Sequence, residues 1–195
     1  MNIKVLSAIA VVAILFFWGI STHNKLVSLE EDVQQSWAQV ENQYQRRADL
    51  IPNLVNIVQG AADFEQETLT EVIEARSRAT SININPGDLS DPALFNQFQQ
   101  AQEQLGGALS RLLVSVERYP QLTATENFRD LQVQLEGTEN RIATERMRFN
   151  QSSQQFNTTV RRFPANMIAG VIGFEPKHYF EAREGSDTAP EVNFN

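Results

Sequence analysis

The stretch FRDLQVQLEGTENRIATERMRFNQSSQQFNTTVRRF, Phe128 to Phe163, decides the fold. Every seventh residue in it is large and apolar: Phe128, Leu135, Ile142, Phe149, Phe156 and Phe163. Residues seven apart fall on nearly one line of an α-helix. The positions three further on, Leu131, Thr138, Glu145, Ser152 and Thr159, are mostly small or polar, and Gly137 is the single Gly or Pro within the run. At ~1.5 Å per residue this is a rod on the order of 50 Å long. A straight helix drifts about 20° per heptad from such a line, so a line held over five heptads implies gentle left-handed coiling against partner helices. A lone apolar rod is not stable in water. The rest of the chain must supply what it packs on.

Upstream, the helical period recurs three times. Leu26, Leu29, Val33, Trp37, Val40, Tyr44, Arg47, Ile51, Leu54 and Val58 form a first stripe, with a kink expected near Leu50 because Pro52 lacks a backbone donor, and an end at Gly60. Asp63 with Gln66 three residues on reads as a capping box opening a second helix, striped by Leu69, Val72, Ile73, Arg76 and Ala79. The polar run SININPGDLSDP turns at Pro86-Gly87, and Asp91-Pro92 is an N-cap with its first-turn proline. A third helix follows, with Leu94, Phe98, Ala101, Leu105, Ala108, Leu112 and Val116 inward, stopping near Tyr119-Pro120. Thr123 or Thr125 then caps the long fourth helix. Short connections make sequential neighbours antiparallel, so the fold class is all-α, a long antiparallel up-and-down four-helix bundle.

The run VLSAIAVVAILFFWGI, Val5 to Ile20, carries no charge, and Trp18 sits near its end where an interfacial aromatic belongs. Phe16, Phe17 and Trp18 occupy the place where a signal peptide needs small residues, so the run reads as an uncleaved transmembrane helix. Three segments are expected: an anchor over 1–24, a helical bundle over 25–183 and a disordered tail over 184–195. The first helix follows the span without a turn signal, so span and bundle should share one rod. Lys4 precedes the span while Lys25 and His23 follow it, which leans slightly towards an extracytoplasmic domain in a single-pass protein. The apolar segment NMIAGVIGF is too short to cross a bilayer. It is expected to fold back over the bundle end, or else to meet a partner or the membrane surface.

Composition excludes several chemistries. The 195 residues carry a net charge of −8; residues 1–25 hold +2 and the remainder −10, which argues against nucleic acid as partner. There is no Cys, so disulfides, thiolate catalysis and Cys-ligated metal are absent. Glu175 and His178 have Glu-x-x-His spacing, but Pro176 lies between them and no second such pair exists. No catalytic, cofactor or metal residues are assigned.

QRRADLIPNLV (Gln45 to Val55), LLVSVERYPQL (Leu112 to Leu122), LEGTENRIATERMRFN (Leu135 to Asn150) and RRFPANMIAGVIGF (Arg161 to Phe174) together resemble the LemA family of bacterial membrane proteins. The resemblance covers essentially the whole chain. It implies an amino-terminal membrane helix before an antiparallel four-helix bundle, and no catalytic residues. The family pattern places Tyr before Asn in the fourth helix, where this chain has Phe149 and Phe156. It places His-Glu early in the second, where this chain has Phe64-Glu65.

Two polar clusters stand out, Arg46, Arg47 and Asp49 near Pro52, and Glu139, Asn140 and Arg141 in the long helix; Arg47 falls on the apolar stripe of the first helix. They read first as an inter-helix network fixing register, and second as a recognition site for a peptide or acidic group. The functional expectation is a membrane-anchored, non-catalytic scaffold with a protein partner and the lipid bilayer as contacts. The alternative is a sensor holding a small molecule or lipid between the helices.

Overall fold

Helix α1 (Ile3–Gln59) runs unbroken for 57 residues. Residues 3–60 and 64–181 are described in this computed structural model. Pro52 cannot donate to the carbonyl of Ala48 four residues back, which leaves an orphan acceptor. Arg76 of α2 (Gln66–Ser81) fills it, donating Nε to Ala48 O at 2.7 Å, and the helix continues past the proline to end before Gly60. The expected capping residue Asp63 lies outside the described residues. Glu65 stands at the N-cap of α2 and its side chain makes no cap hydrogen bond.

A 3-10 turn (Pro86–Ser90) leads into α3 (Pro92–Val116). The Asp91 carboxylate accepts from the Ala93 and Leu94 amides at 2.8 and 3.2 Å, and Pro92 takes the first turn, where no donor is missed. A short helix α4 (Pro120–Thr123) turns the chain, and Thr125 caps α5 (Glu126–Arg161) by accepting from the Phe128 amide. Helix α6 (Ala165–Ile172) ends in Gly173, whose φ of +89° is left-handed and therefore suits glycine. No strand occurs among the described residues.

Helix α1 packs along α5, and α2 along α3. The apolar seam of α5 is buried at Phe128, Leu131, Leu135, Ile142, Phe149 and Phe156, but its expected last member is not. Phe163 is 75% exposed, because α5 ends at Arg161 and the chain turns at Phe163-Pro164. The core has two compartments. In the distal one, α1, α2, α3 and α5 form the antiparallel four-helix bundle around Leu54, Val72, Leu112 and Leu135. The proximal one, next to the apolar start of α1, contains no residue of α2; there Trp37, Phe149 and Phe156 are covered by Ile84 and Leu89 of the loop, Ala169 of α6 and Phe180.

Phe180 belongs to an extended strap, residues 174–181, that climbs from α6 along α5. Asn157 donates to the Tyr179 hydroxyl at 2.8 Å and grips both backbone groups of Lys177, accepting from the amide at 2.7 Å and donating to the carbonyl at 2.8 Å. Asn150 does the same to Phe180, at 2.8 and 2.9 Å. Gln99 of α3 does so to Glu181, at 3.3 Å both ways. These side-chain amides stand in for a neighbouring strand, satisfying backbone groups that an isolated extended segment would leave unpaired. On the α1 side, Phe174 meets the ring of His23, Lys177 pairs with Glu30 at 2.9 Å, and Phe180 stacks on Trp37.

Candidate functional site

Arg47 occupies a core position of α1, flanked by Tyr44 and Ile51, and is 3% exposed. Its Nη1 donates to Glu139 Oε1 of α5 at 2.7 Å. Its Nη2 donates to Gln102 of α3 twice, to Oε1 at 2.7 Å and to the carbonyl at 3.0 Å. Gln102 Nε2 in turn donates to the carbonyl of Ala79 in α2 at 3.1 Å. One hydrogen-bonded layer thus joins all four helices, at the level where the distal core gives way to the proximal one. The guanidinium carbon lies 5.1 Å from the Tyr44 ring centroid, a cation–π approach. Arg47 Nε is buried without a hydrogen-bond partner among the described residues.

Of the six residues singled out in the two sequence clusters, Arg47 and Glu139 come together. Arg46, Asp49, Asn140 and Arg141 are exposed. Asp49 lines a cleft of about 300 Å³ between α1, α2 and α3, with Tyr44, Phe98, Thr80 and Gln102 around it. Asn140 and Glu139 border a separate groove between α3 and α5 that includes Gly106 and Leu113. Gln102 was not among the residues picked from the sequence. Its signal was there: Phe95, Phe98, Gln102, Leu105, Leu109, Leu112 and Val116 are spaced alternately three and four apart, so Gln102 stands at a core position of α3.

The chemistry open to this layer is electrostatic. A guanidinium does not give up its proton in a protein, so Arg47 can hold an anion but not shuttle protons. Burial pushes the Tyr44 phenol above its ordinary value. The Arg146 and Arg47 cations pull it back, and the Glu139 and Glu103 carboxylates push it up again. Glu175 and His178 lie on the extended strap, where the His178 amide donates to Leu89 O at 3.1 Å. No group of three metal-ligating side chains gathers among the described residues.

The model of the LemA family matches residues 36–194. The magnetosome protein MamQ 2 of Paramagnetospirillum magneticum is similar, with 27% identity over 206 residues covering 96% of this chain and 74% of that protein. The magnetosome protein MamQ of Magnetospirillum gryphiswaldense is 26% identical over 204 residues, covering 95% and 73%. Protein LemA of Metamycoplasma hominis is 22% identical over 180 residues, covering 92% and 78%. The family match begins at Ser36, one residue before Trp37 of the proximal core, and takes in the Arg47, Gln102 and Glu139 layer and the whole strap. The chain belongs to the LemA family.

Proposed function

We propose that this protein is a non-catalytic scaffold, anchored in a bacterial membrane by a single pass and presenting its bundle to a protein partner on the extracytoplasmic side. The observation that carries the reading is the unbroken α1. Its first turns expose Val5, Ile9, Val12, Leu15 and Phe16, and the same helix enters the core from Leu26 onward. A helix that passes from lipid to core without a hinge holds the domain at a set height, which suits display better than turnover. The polar layer serves this role by locking helix register, the best-attested use of a buried charged group. Relatives named as magnetosome proteins take their name from a structure and not from a reaction, which agrees with an assembly role. Crosslinking of the full chain in its native membrane, followed by mass spectrometry, tests it. A reproducible protein partner captured through the bundle is the expected outcome; a chain that stays uncrosslinked at every bundle position would overturn the scaffold.

A second reading, a small-molecule sensor, is favoured by the cleft beside Tyr44, Phe98 and Gln102. Its volume, about 300 Å³, is at the lower end of small-ligand sites. Thermal-shift screening of the parent against Phe98→Trp, which fills the cleft, separates the two: a ligand that raises the parent's melting point but not the variant's would favour the sensor.

A further inference from the structure

We propose that α6 is a second lipid contact, lying in the interfacial zone of the bilayer beside the anchor. The inference rests on the membrane reading of α1 and extends it to a different part of the chain. Four observations carry it. First, α6 bears no charged residue, and it is held to the bundle by buried Ala169 and half-buried Ile168. Second, its outward face is largely apolar: Met167 and Val171, spaced four apart on α6, are 63% and 88% exposed, with Ile172 beside them, Phe163 75% exposed in the turn before the helix, and Asn166 the exposed polar side chain. That spacing makes one stripe along a helix side. A soluble domain gains nothing by leaving such a stripe in water.

Third, the stripe sits at the height where α1 leaves the lipid. Phe174, which follows α6, meets the ring of His23, and α6 itself packs on α1. The residues from Ile3 to Thr22 at ~1.5 Å each span roughly 30 Å, the hydrocarbon thickness. His23 therefore falls at the level of the headgroups, and α6 falls there with it. Fourth, the exposed cations at this height match an anionic surface. Arg161 and Arg162 precede the stripe and Lys25 flanks the anchor. Glu175, exposed just past Gly173, is the adjacent acid. Buried apolar side chains and cations facing anionic headgroups are the two contributions that hold a helix at a membrane surface, and here α6 supplies the first and its flanks the second.

The chain has no Cys, so single cysteines carry a fluorophore without background. Four full-length variants, Leu15→Cys in the span, Met167→Cys and Val171→Cys on the stripe, and Val133→Cys on exposed distal α5, are reconstituted into vesicles of phosphatidylethanolamine and phosphatidylglycerol with or without spin-labelled lipid. The expected result is loss of emission to the lipid quencher at 15, 167 and 171 and none at 133. Quenching at 15 with none at 167 and 171 overturns the inference and leaves the anchor standing. No quenching at 15 overturns the anchor and the inference together. Blue-shifted but unquenched emission at 171 means that protein, a second copy or another chain, covers the stripe, and this also overturns it.

Discussion

At the residue scale, Arg47 is 3% exposed while the Glu139 side chain is 44% exposed, and this decides which partner the fold can lose. Removing Glu139 strands a buried guanidinium; removing Arg47 leaves a carboxylate that water can reach. Glu139→Ala is expected to lose about 2–4 kcal/mol, discounted from the 3–5 typical of a fully buried pair because of that exposure. Arg47→Met, which keeps the packing volume, should lose about 1–2 kcal/mol, mainly for the Gln102 acceptors left without a donor. Equilibrium unfolding in detergent compares the two, and equal losses would mean that water reaches the guanidinium as well. Tyr44 gives a pH test. Its folded pKa is raised above 10.0, so the neutral phenol is favoured by folding. That contribution is complete below the unfolded value and is lost as pH rises through the folded one. Melting temperature should therefore fall above about pH 10, and Tyr44→Phe should flatten that fall. An unchanged alkaline limb would assign the loss to another group.

At the scale of elements, the seam of α5 and the strap make opposite demands. Phe149→Ala and Phe156→Ala should each cost about 3–5 kcal/mol by emptying core volume. Phe163→Ala should move stability by less than about 0.5 kcal/mol, as expected for an exposed site. Unfolding midpoints check all three. Asn157→Ala should leave the global midpoint nearly in place but open the strap. Losing three hydrogen bonds to the strap, two to the Lys177 backbone and one to the Tyr179 hydroxyl, at about 1 kcal/mol each predicts on the order of 100-fold faster hydrogen exchange at the Lys177 amide. The contrast also explains what the sequence made legible. Phe128, Leu135, Ile142, Phe149 and Phe156 announce a helix because burial on a cylinder imposes a period. Phe163 shares the period but not the burial, since Pro164 ends any helix that would carry it inward. Arg47 is visible as a charge on an apolar stripe, whereas the neutral Gln102 stands beside Ala101, which takes the inward place in the stripe read from the sequence. The strap had no period to read, because it is held by amides of Asn150, Asn157 and Gln99 whose partners lie 20 or more residues away.

At the scale of the molecule, the protein is a membrane-associated helical bundle in which an exposed apolar run and a core-facing stripe share one helix. Ile9→Arg with Val12→Arg should move the full chain into the soluble fraction after a high-salt wash, since each arginine at a span centre costs roughly 2.5–3.5 kcal/mol of insertion. Retention through the wash would show that the principal anchor lies elsewhere. Sharing one helix also means that the proximal compartment cannot change length at α1 alone.

The strap sets the step by which it could change. His23, Glu30 and Trp37 are seven apart on α1, Asn157 and Asn150 are seven apart on α5, and the strap residues they meet, Phe174, Lys177 and Phe180, are three apart. Seven helical residues rise ~10.5 Å and three extended residues ~10 Å, so helix and strap run together like the two scales of a vernier that coincide once per heptad. Length in this compartment is therefore quantised. One residue added between Lys177 and Phe180 throws Asn150 out of step with Asn157. Seven residues added to each of α1 and α5, with three added to the strap, restore every coincidence and raise the distal bundle by one ~10.5 Å tooth. Limited proteolysis of the two insertion variants would distinguish a slipped strap from a longer stalk.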